Sequence, residues 1–275
     1  MGTDYFPMSE FFETTVFDSS ARNKSMAGRI RRMTDRTLWA LGCQWEHGAY
    51  EKTWHELDFG RAGGNGVTLP VEEGLELSLR GRIDRVDFAE EDGSLYVKVI
   101  DYKSGSTKLD LGKVYYGLQL QLVLYLEAAM AMAAKRNPNR KLIPAGIYYY
   151  NMKDPIVSGF DMTKEEIEAK QQKELRMNGL TSTEKASLLL IDAEGGNVVS
   201  GLEYKKDGSL SSRALVANAD QMHELGHFAR KKALDLARDI YGGKIDAYPY
   251  EYKKMNPCEY CEYGSVCGFD LQLEG

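Results

Sequence analysis

Residues 81–105 read Gly81-Arg82-Ile83-Asp84-Arg85-Val86-Asp87-Phe88-Ala89-Glu90-Glu91-Asp92-Gly93-Ser94-Leu95-Tyr96-Val97-Lys98-Val99-Ile100-Asp101-Tyr102-Lys103-Ser104-Gly105. Two apolar runs flank Asp92-Gly93, the strongest short-range signal for a two-residue hairpin turn. Centred on that turn, Glu91 faces Ser94, Phe88 faces Val97, Val86 faces Val99 and Asp84 faces Asp101. Directly opposed residues have Cβ atoms about 4.5–5.5 Å apart on one face. Carboxylates that close repel unless a cation lies between them. Side chains alternate along a strand, so Lys103 shares the face of Asp101. The pattern brings two carboxylates and an ammonium to one spot, unless a bulge shifts the register. A plainer arrangement also satisfies these residues: Asp84 among Arg82 and Arg85, and Asp101 with Lys103, as surface ion pairs of small energetic weight.

Working outward, residues 21 to about 48 read as a helix, with Met26, Ile30, Met33 and Leu41 at helical spacing. Trp54–Phe59 reads as a strand and 60–66 as a glycine-rich loop. Leu75, Leu77, Leu79, Gly81 and Ile83 alternate with polar residues, which predicts one long strand entering the hairpin. Leu95–Lys103 is the return strand. A helix is expected from about Val114 to Lys135, ended by Asn137-Pro138-Asn139, then a strand at Ile143–Tyr150. Thr163 and Glu166 form a capping-box pattern that opens a polar helix to about Met177, stopped by Asn178-Gly179. A helix is expected over Thr183–Leu190, a polar loop or hairpin insertion over 193–213, and a helix over Ala219–Tyr241. No repeat or clear linker interrupts the chain. The fold class is α/β: a mixed central sheet flanked by helices, in one domain over 1–275.

The chain has 275 residues, 43% hydrophobic and 28% charged, with a net charge of −6. These are ordinary values for a soluble globular protein. No apolar run approaches the roughly 20 residues of a membrane span, so no membrane partner is expected, and 1–17 is no secretory signal. The acidic balance does not advertise nucleic-acid binding. Arg22, Lys24, Arg29, Arg31, Arg32 and Arg36 nevertheless crowd residues 22–36 against Asp35 alone. That helix presents either a solvated face or a surface for DNA or a partner.

Two further clusters carry chemistry. Cys258, Cys261 and Cys267 lie within a ten-residue C-terminal segment, 258–267, a spacing that suits zinc or an iron–sulfur cluster. Cys43 is the remaining cysteine. His223-Glu224-Leu225-Gly226-His227 is formally a His-Glu-x-x-His motif on a helix, with Glu251 available as a third ligand. In zinc peptidases such histidines hold the metal and the glutamate is the general base. Against that reading, the pattern is short, Gly226 weakens the helix, and Met222, Leu225, Ala229, Leu236 and Ile240 form an ordinary core stripe.

The order Gly81–Asp87, then Ile100-Asp101-Tyr102-Lys103-Ser104-Gly105, then Gly117-Leu118-Gln119-Leu120-Gln121-Leu122-Val123-Leu124-Tyr125-Leu126 resembles PD-(D/E)xK nucleases of the RecB type. Within that group it is most similar to the C-terminal nuclease domain of AddB/RexB, the B subunit of bacterial ATP-dependent helicase–nucleases. The resemblance runs from about Arg29 to the cysteine segment. It implies a restriction-endonuclease-like core and a Mg²⁺- or Mn²⁺-dependent DNA exonuclease. It further implies a role in double-strand break repair and recombination beside an AddA/RexA-like partner, in the cytoplasm. Asp84, Asp101 and the Tyr102 carbonyl would hold the metal, Lys103 would activate water, and Gln121 and Tyr125 would position DNA. The family also holds a [4Fe–4S] cluster with the C-terminal triplet and one cysteine far upstream. Cys43 does not match that upstream cysteine, and His55 is not the family's metal-binding histidine. The expectation is therefore a fragment of a longer subunit, with reduced metal affinity and activity and an incomplete cluster. The alternatives are a DNA-binding or assembly module without activity, and the zinc metallopeptidase.

Overall fold

The computed structural model describes residues 20–60, 67–157, 159, 161–253 and 255–269. Helix α1 (Ala21–His47) is capped by the Ser20 hydroxyl, which accepts from the Asn23 N–H at 3.1 Å. Strands β1 (Lys52–Phe59), β2 (Val67–Glu72), β3 (Leu75–Leu79), β4 (Gly81–Glu91) and β5 (Ser94–Lys103) follow. Next come α2 (Leu111–Tyr115), α3 (Gln121–Arg136), β6 (Lys141–Asn151), α4 (Lys164–Glu174), β7 (Asn178–Ser182), α5 (Lys185–Ile191), β8 (Val216–Ala217) and α6 (Ala219–Tyr241). A 3₁₀ turn at Pro257–Tyr260 and the short helix α7 (Gly264–Cys267) close the described chain.

Six strands form a mixed sheet in the order β1-β4-β5-β6-β7-β8, and β2 and β3 form a separate antiparallel pair. Only β5–β6 and β7–β8 are parallel. The crossover from β5 to β6 carries α3, which packs on both strands, as a parallel connection requires. The sheet is covered on both faces. One core cluster gathers Val86, Phe88, Val97 and Val99 with Leu122, Val123, Leu126 and Ala129 of α3. The other gathers Tyr96, Ile100, Tyr148 and Tyr150 with Ala40 of α1 and Ile191 of α5. The expected α/β class with a mixed, helix-flanked sheet is what the structure shows.

Several local expectations change. The long strand expected to enter the hairpin is two strands in two different sheets, broken at Arg80. The chain crosses itself there: a Cβ on Gly60 would meet the Leu79 carbonyl at 2.3 Å, and one on Gly81 would meet the Phe59 ring at 2.8 Å. Glycine is what permits both approaches. The helix expected over 114–135 is split into α2 and α3 by Gly117, whose φ of +82° no helix tolerates. The polar helix ends at Glu174, and Asn178-Gly179 opens strand β7 instead of a loop.

Loop 193–213 is not simply a surface insertion. Val198, Val199 and Leu202 are buried, and the Asp192 carboxylate accepts from the N–H groups of Gly195, Asn197 and Val198. Only Tyr204 and Leu210 form a hairpin-like bridge. The apolar stripes that signalled α1 and α6 are buried only in part: Met222 and Ala229 lie in the core and Leu225 packs against it. Met26 and Ile30 are exposed while Thr37 and Ala40 are buried; Leu236 and Ile240 are exposed while Ala229, Ala233 and Ala237 are buried. Small residues let these helices approach their neighbours closely.

One irregularity positions the functional residues. Along β4 the side chains in one core cluster are Ile83, Val86 and Phe88, and along β1 they are Trp54, Leu57 and Phe59. Each set contains a step of three where pleating gives two. The two strands slip phase together, so Trp54 still pairs with Val86 and Leu57 with Ile83. The skipped pair is Glu56 with Asp84, and Glu56 takes φ +48°.

Candidate active site

The hairpin register is the one its turn dictates. Glu91 pairs with Ser94, Phe88 with Val97, Val86 with Val99 and Arg85 with Ile100. The ladder then stops, one pair short of Asp84 and Asp101. Asp92 and Gly93 both take positive φ, 46° and 72°, as a type I′ turn demands. Where the ladder stops, the Asp84 carboxylate replaces the missing backbone partner, accepting from the Tyr102 N–H at 2.8 Å. The phase slip and this bond fix Asp84 at the end of the strand pair.

Asp101 is 3% exposed. Its Oδ2 is buried and lies 2.7 Å from the Lys103 ammonium. Burial, followed by the nearby Asp84 charge, pushes the Asp101 carboxyl above the usual range, although Lys103 opposes both. Lys103 also donates to Gln121 Oε1 at 3.0 Å, and Gln121 donates to the Tyr125 hydroxyl at 2.9 Å. The ammonium sits 5.5 Å from the Tyr149 ring centroid. Burial, then Asp101, pushes the Tyr149 hydroxyl up to about 12. Asp84, Asp101, Lys103, Gln121 and Tyr125 are thus joined in one group at the end of β5 and the start of α3.

Asn151 and Asn178 went unnoticed in the sequence. Asn151 exchanges two hydrogen bonds with the backbone of Thr107, and Asn178 donates to Thr107 O and accepts from Leu109 N. These amides clamp the loop leaving Lys103. Asp110 extends the clamp: it caps α2 at Gly112 N and accepts from Tyr252 and Lys253 of the C-terminal segment. The Lys253 ammonium holds the Asp110 carboxyl down to about 2. The signal available was weak: asparagines at strand ends and an Asp-x-Gly cap.

A divalent cation fits the carboxylate pair. Two acids face one ammonium there, and the Asp84 charge adds to burial in raising the Asp101 carboxyl. Among the described residues no three or more His, Cys, Asp or Glu side chains are placed to bind one. Cys261 and Cys267 are exposed, Cys258 is half-buried, and Cys43 lies on α1. His223 and His227 touch through their Nε2 atoms at 3.0 Å. Arg230 faces His227 Nδ1 at 3.3 Å, which puts the neutral ring's proton on Nε2 instead of a lone pair for a metal. Glu251 does not join them. Among the described residues His223 and His227 therefore have no third ligand beside them. His55 lies on β1 and is exposed.

An acid pair and a lysine thus lie on a hairpin of a mixed sheet, followed by a helix that carries Gln121 and Tyr125 four residues apart. The chain belongs to the PD-(D/E)XK nuclease superfamily, whose sequence model matches residues 7–268. That match begins well before Arg29. The chain is 40% identical over 97% of its length to the B subunit of the ATP-dependent helicase/deoxyribonuclease of Lachnoclostridium phytofermentans. It is 34% identical to the corresponding B subunits of Clostridium kluyveri, over 95% of the chain, and Caldanaerobacter subterraneus, over 94%. The chain spans 23% of the length of each. No described helix is long and apolar enough to cross a membrane.

Proposed function

We propose that this chain is the nuclease domain of an AddB/RexB-like subunit, an exonuclease that hydrolyses DNA phosphodiester bonds with Mg²⁺ or Mn²⁺. Its setting would be a cytoplasmic helicase–nuclease with an AddA/RexA-like motor, acting in double-strand break repair and recombination. The observation that carries the reading is the meeting of the buried Asp101 carboxylate with Asp84 and Lys103 at the end of the strand pair, two acids against one ammonium.

Asp84, Asp101 and the Tyr102 carbonyl would hold the ion. When bound, a divalent ion polarises a phosphoryl oxygen and acidifies water. Lys103, anchored by Gln121, would orient the attacking water and offset the negative charge that builds on the phosphoryl oxygens. Gln121 and Tyr125, four apart on one helix face, would steer the strand across the site.

The test is cleavage of linear DNA with Mg²⁺, comparing this chain with its Asp101→Ala and Lys103→Ala variants. Both variants are expected to be inactive, and cleavage that survives either one removes the reading. A parent chain that retains DNA without cutting it, and releases it at high salt, would be a binding module instead.

A further inference from the structure

A cavity of about 890 Å³ lies not over the carboxylates but to one side. Ser104, Gly105 and Ser106, which follow Lys103 directly, form one rim, and Met152, whose N–H donates to the Lys103 carbonyl at 2.8 Å, lies on the floor. Ser104 is one Cα step, about 3.8 Å, from the lysine backbone. The remaining walls come from α1, the segment after β6, and α4.

Those walls are basic in a chain whose net charge is −6. Arg29 and Arg32 project from α1, Lys153 from the floor, and Lys170 and Lys173 from α4, against Asp154 and Glu174 alone. Arg32 is paired with Asp154 at 2.8 Å. Among the described residues no ion pair engages Arg29, Lys153, Lys170 or Lys173. The walls are also held in place: Arg32–Asp154 ties the floor to α1, and Gln171 donates to the Pro155 carbonyl at 3.3 Å, tying it to α4. Like charges in excess of their counter-charges around a fixed cleft repel one another. A polyanion relieves that repulsion, and cations tracking a backbone are the usual electrostatic footprint of single-strand binding.

We infer that this cleft binds the phosphate backbone of the DNA strand being cut, holding the nucleotides next to the scissile phosphate through Arg29, Lys153, Lys170 and Lys173. The inference rests on the nuclease reading for its ligand and adds the path the strand takes. It also gives the basic patch on α1 an occupant.

The experiment measures binding of a short single-stranded oligonucleotide across a salt series, with chelator present so that nothing is cut. The parent chain is compared with an Arg29→Gln, Lys170→Gln, Lys173→Gln triple variant. The control, Lys185→Gln, Lys205→Gln, Lys206→Gln, carries the same charge change on exposed lysines outside the cleft. Loss of three phosphate contacts, at about 0.7 each for single strands, lowers the slope of log K against log salt by about 2 in the cleft variant. The control slope should be unchanged. Equal slopes in parent and cleft variant, an equal loss in the control, or no binding by the parent overturns the proposal. Cleavage with Mg²⁺ separates the two readings. Activity that needs Asp101, together with an unaltered salt slope in the cleft variant, discards the cleft and keeps the nuclease. Activity that ignores Asp101 discards the nuclease.

Discussion

The β4–β5 hairpin carries two clusters of acid and base, on opposite faces and only a few residues apart. Asp87 is fully buried with Arg85 at 2.7 Å, Lys98 at 3.3 Å and the Thr53 hydroxyl at 3.0 Å. Asp101 is almost as buried, yet it faces Asp84 and one ammonium. Burial is the largest influence on both carboxyls and pushes both up. For Asp87 the two cations win and hold its pKa below the usual range; for Asp101 burial and Asp84 win, and it rises. The first cluster sets two cations against one carboxylate and is sealed by Tyr50, whose ring centroid lies 3.9 Å from the Lys98 ammonium. The second is short of positive charge and sits at the end of the strand pair, where the ladder stops. Burial and charge alone therefore do not mark a site. The sign of the unbalanced charge and its access to solvent do.

The largest expected effect on activity is at the second cluster. Asp101→Ala or Lys103→Ala should lower Mg²⁺-dependent cleavage by about a thousandfold or more, the scale for losing a group that stabilises transition-state charge. Thermal unfolding should barely change. The largest expected effect on folding is at the first cluster. Asp87→Ala leaves two buried cations without their anion and should cost about 3–5 kcal/mol in a denaturant titration. If Asp87→Ala unfolds no more easily than Asp101→Ala, the contrast between the clusters is wrong.

A smaller effect appears as a pH dependence. Burial, only partly offset by Asp87, brings Lys98 down to about 8. The unfolded chain then holds more protons than the folded one between pH 8 and the ordinary lysine value. Stability should rise with pH across that window. The penalty is fully present below pH 8 and gone above the unfolded pKa. Its size is on the order of 3 kcal/mol, and Lys98→Met should remove the slope, read as the difference between the two unfolding profiles. The smallest effect is at Gln121. Gln121→Ala removes the neutral acceptor for Lys103 and should slow cleavage by about tenfold with little loss of stability, consistent with one hydrogen bond to a charged group.

Much of this was legible in the sequence because it depends on neighbours along the chain. Asp92-Gly93 specifies a turn, the turn specifies the register, and period-2 alternation puts Asp101 and Lys103 on one face. The capping box at Thr163–Glu166 and the limits of the Ala219–Tyr241 helix are local in the same way. Tertiary structure decided the rest. The phase slip that moves Asp84 out of the ladder needs β1 as well as β4, and the break at Arg80 needs Phe59 and Gly60 to cross Gly81. The asparagine clamp on the Lys103 loop and the basic cleft built from four separated segments are likewise long-range. Backbone periodicity and turn chemistry act over a few residues, and so a single sequence displays them. The directions of side chains from distant segments, and the charge left over when they meet, emerge only when the sheet and helices close around them.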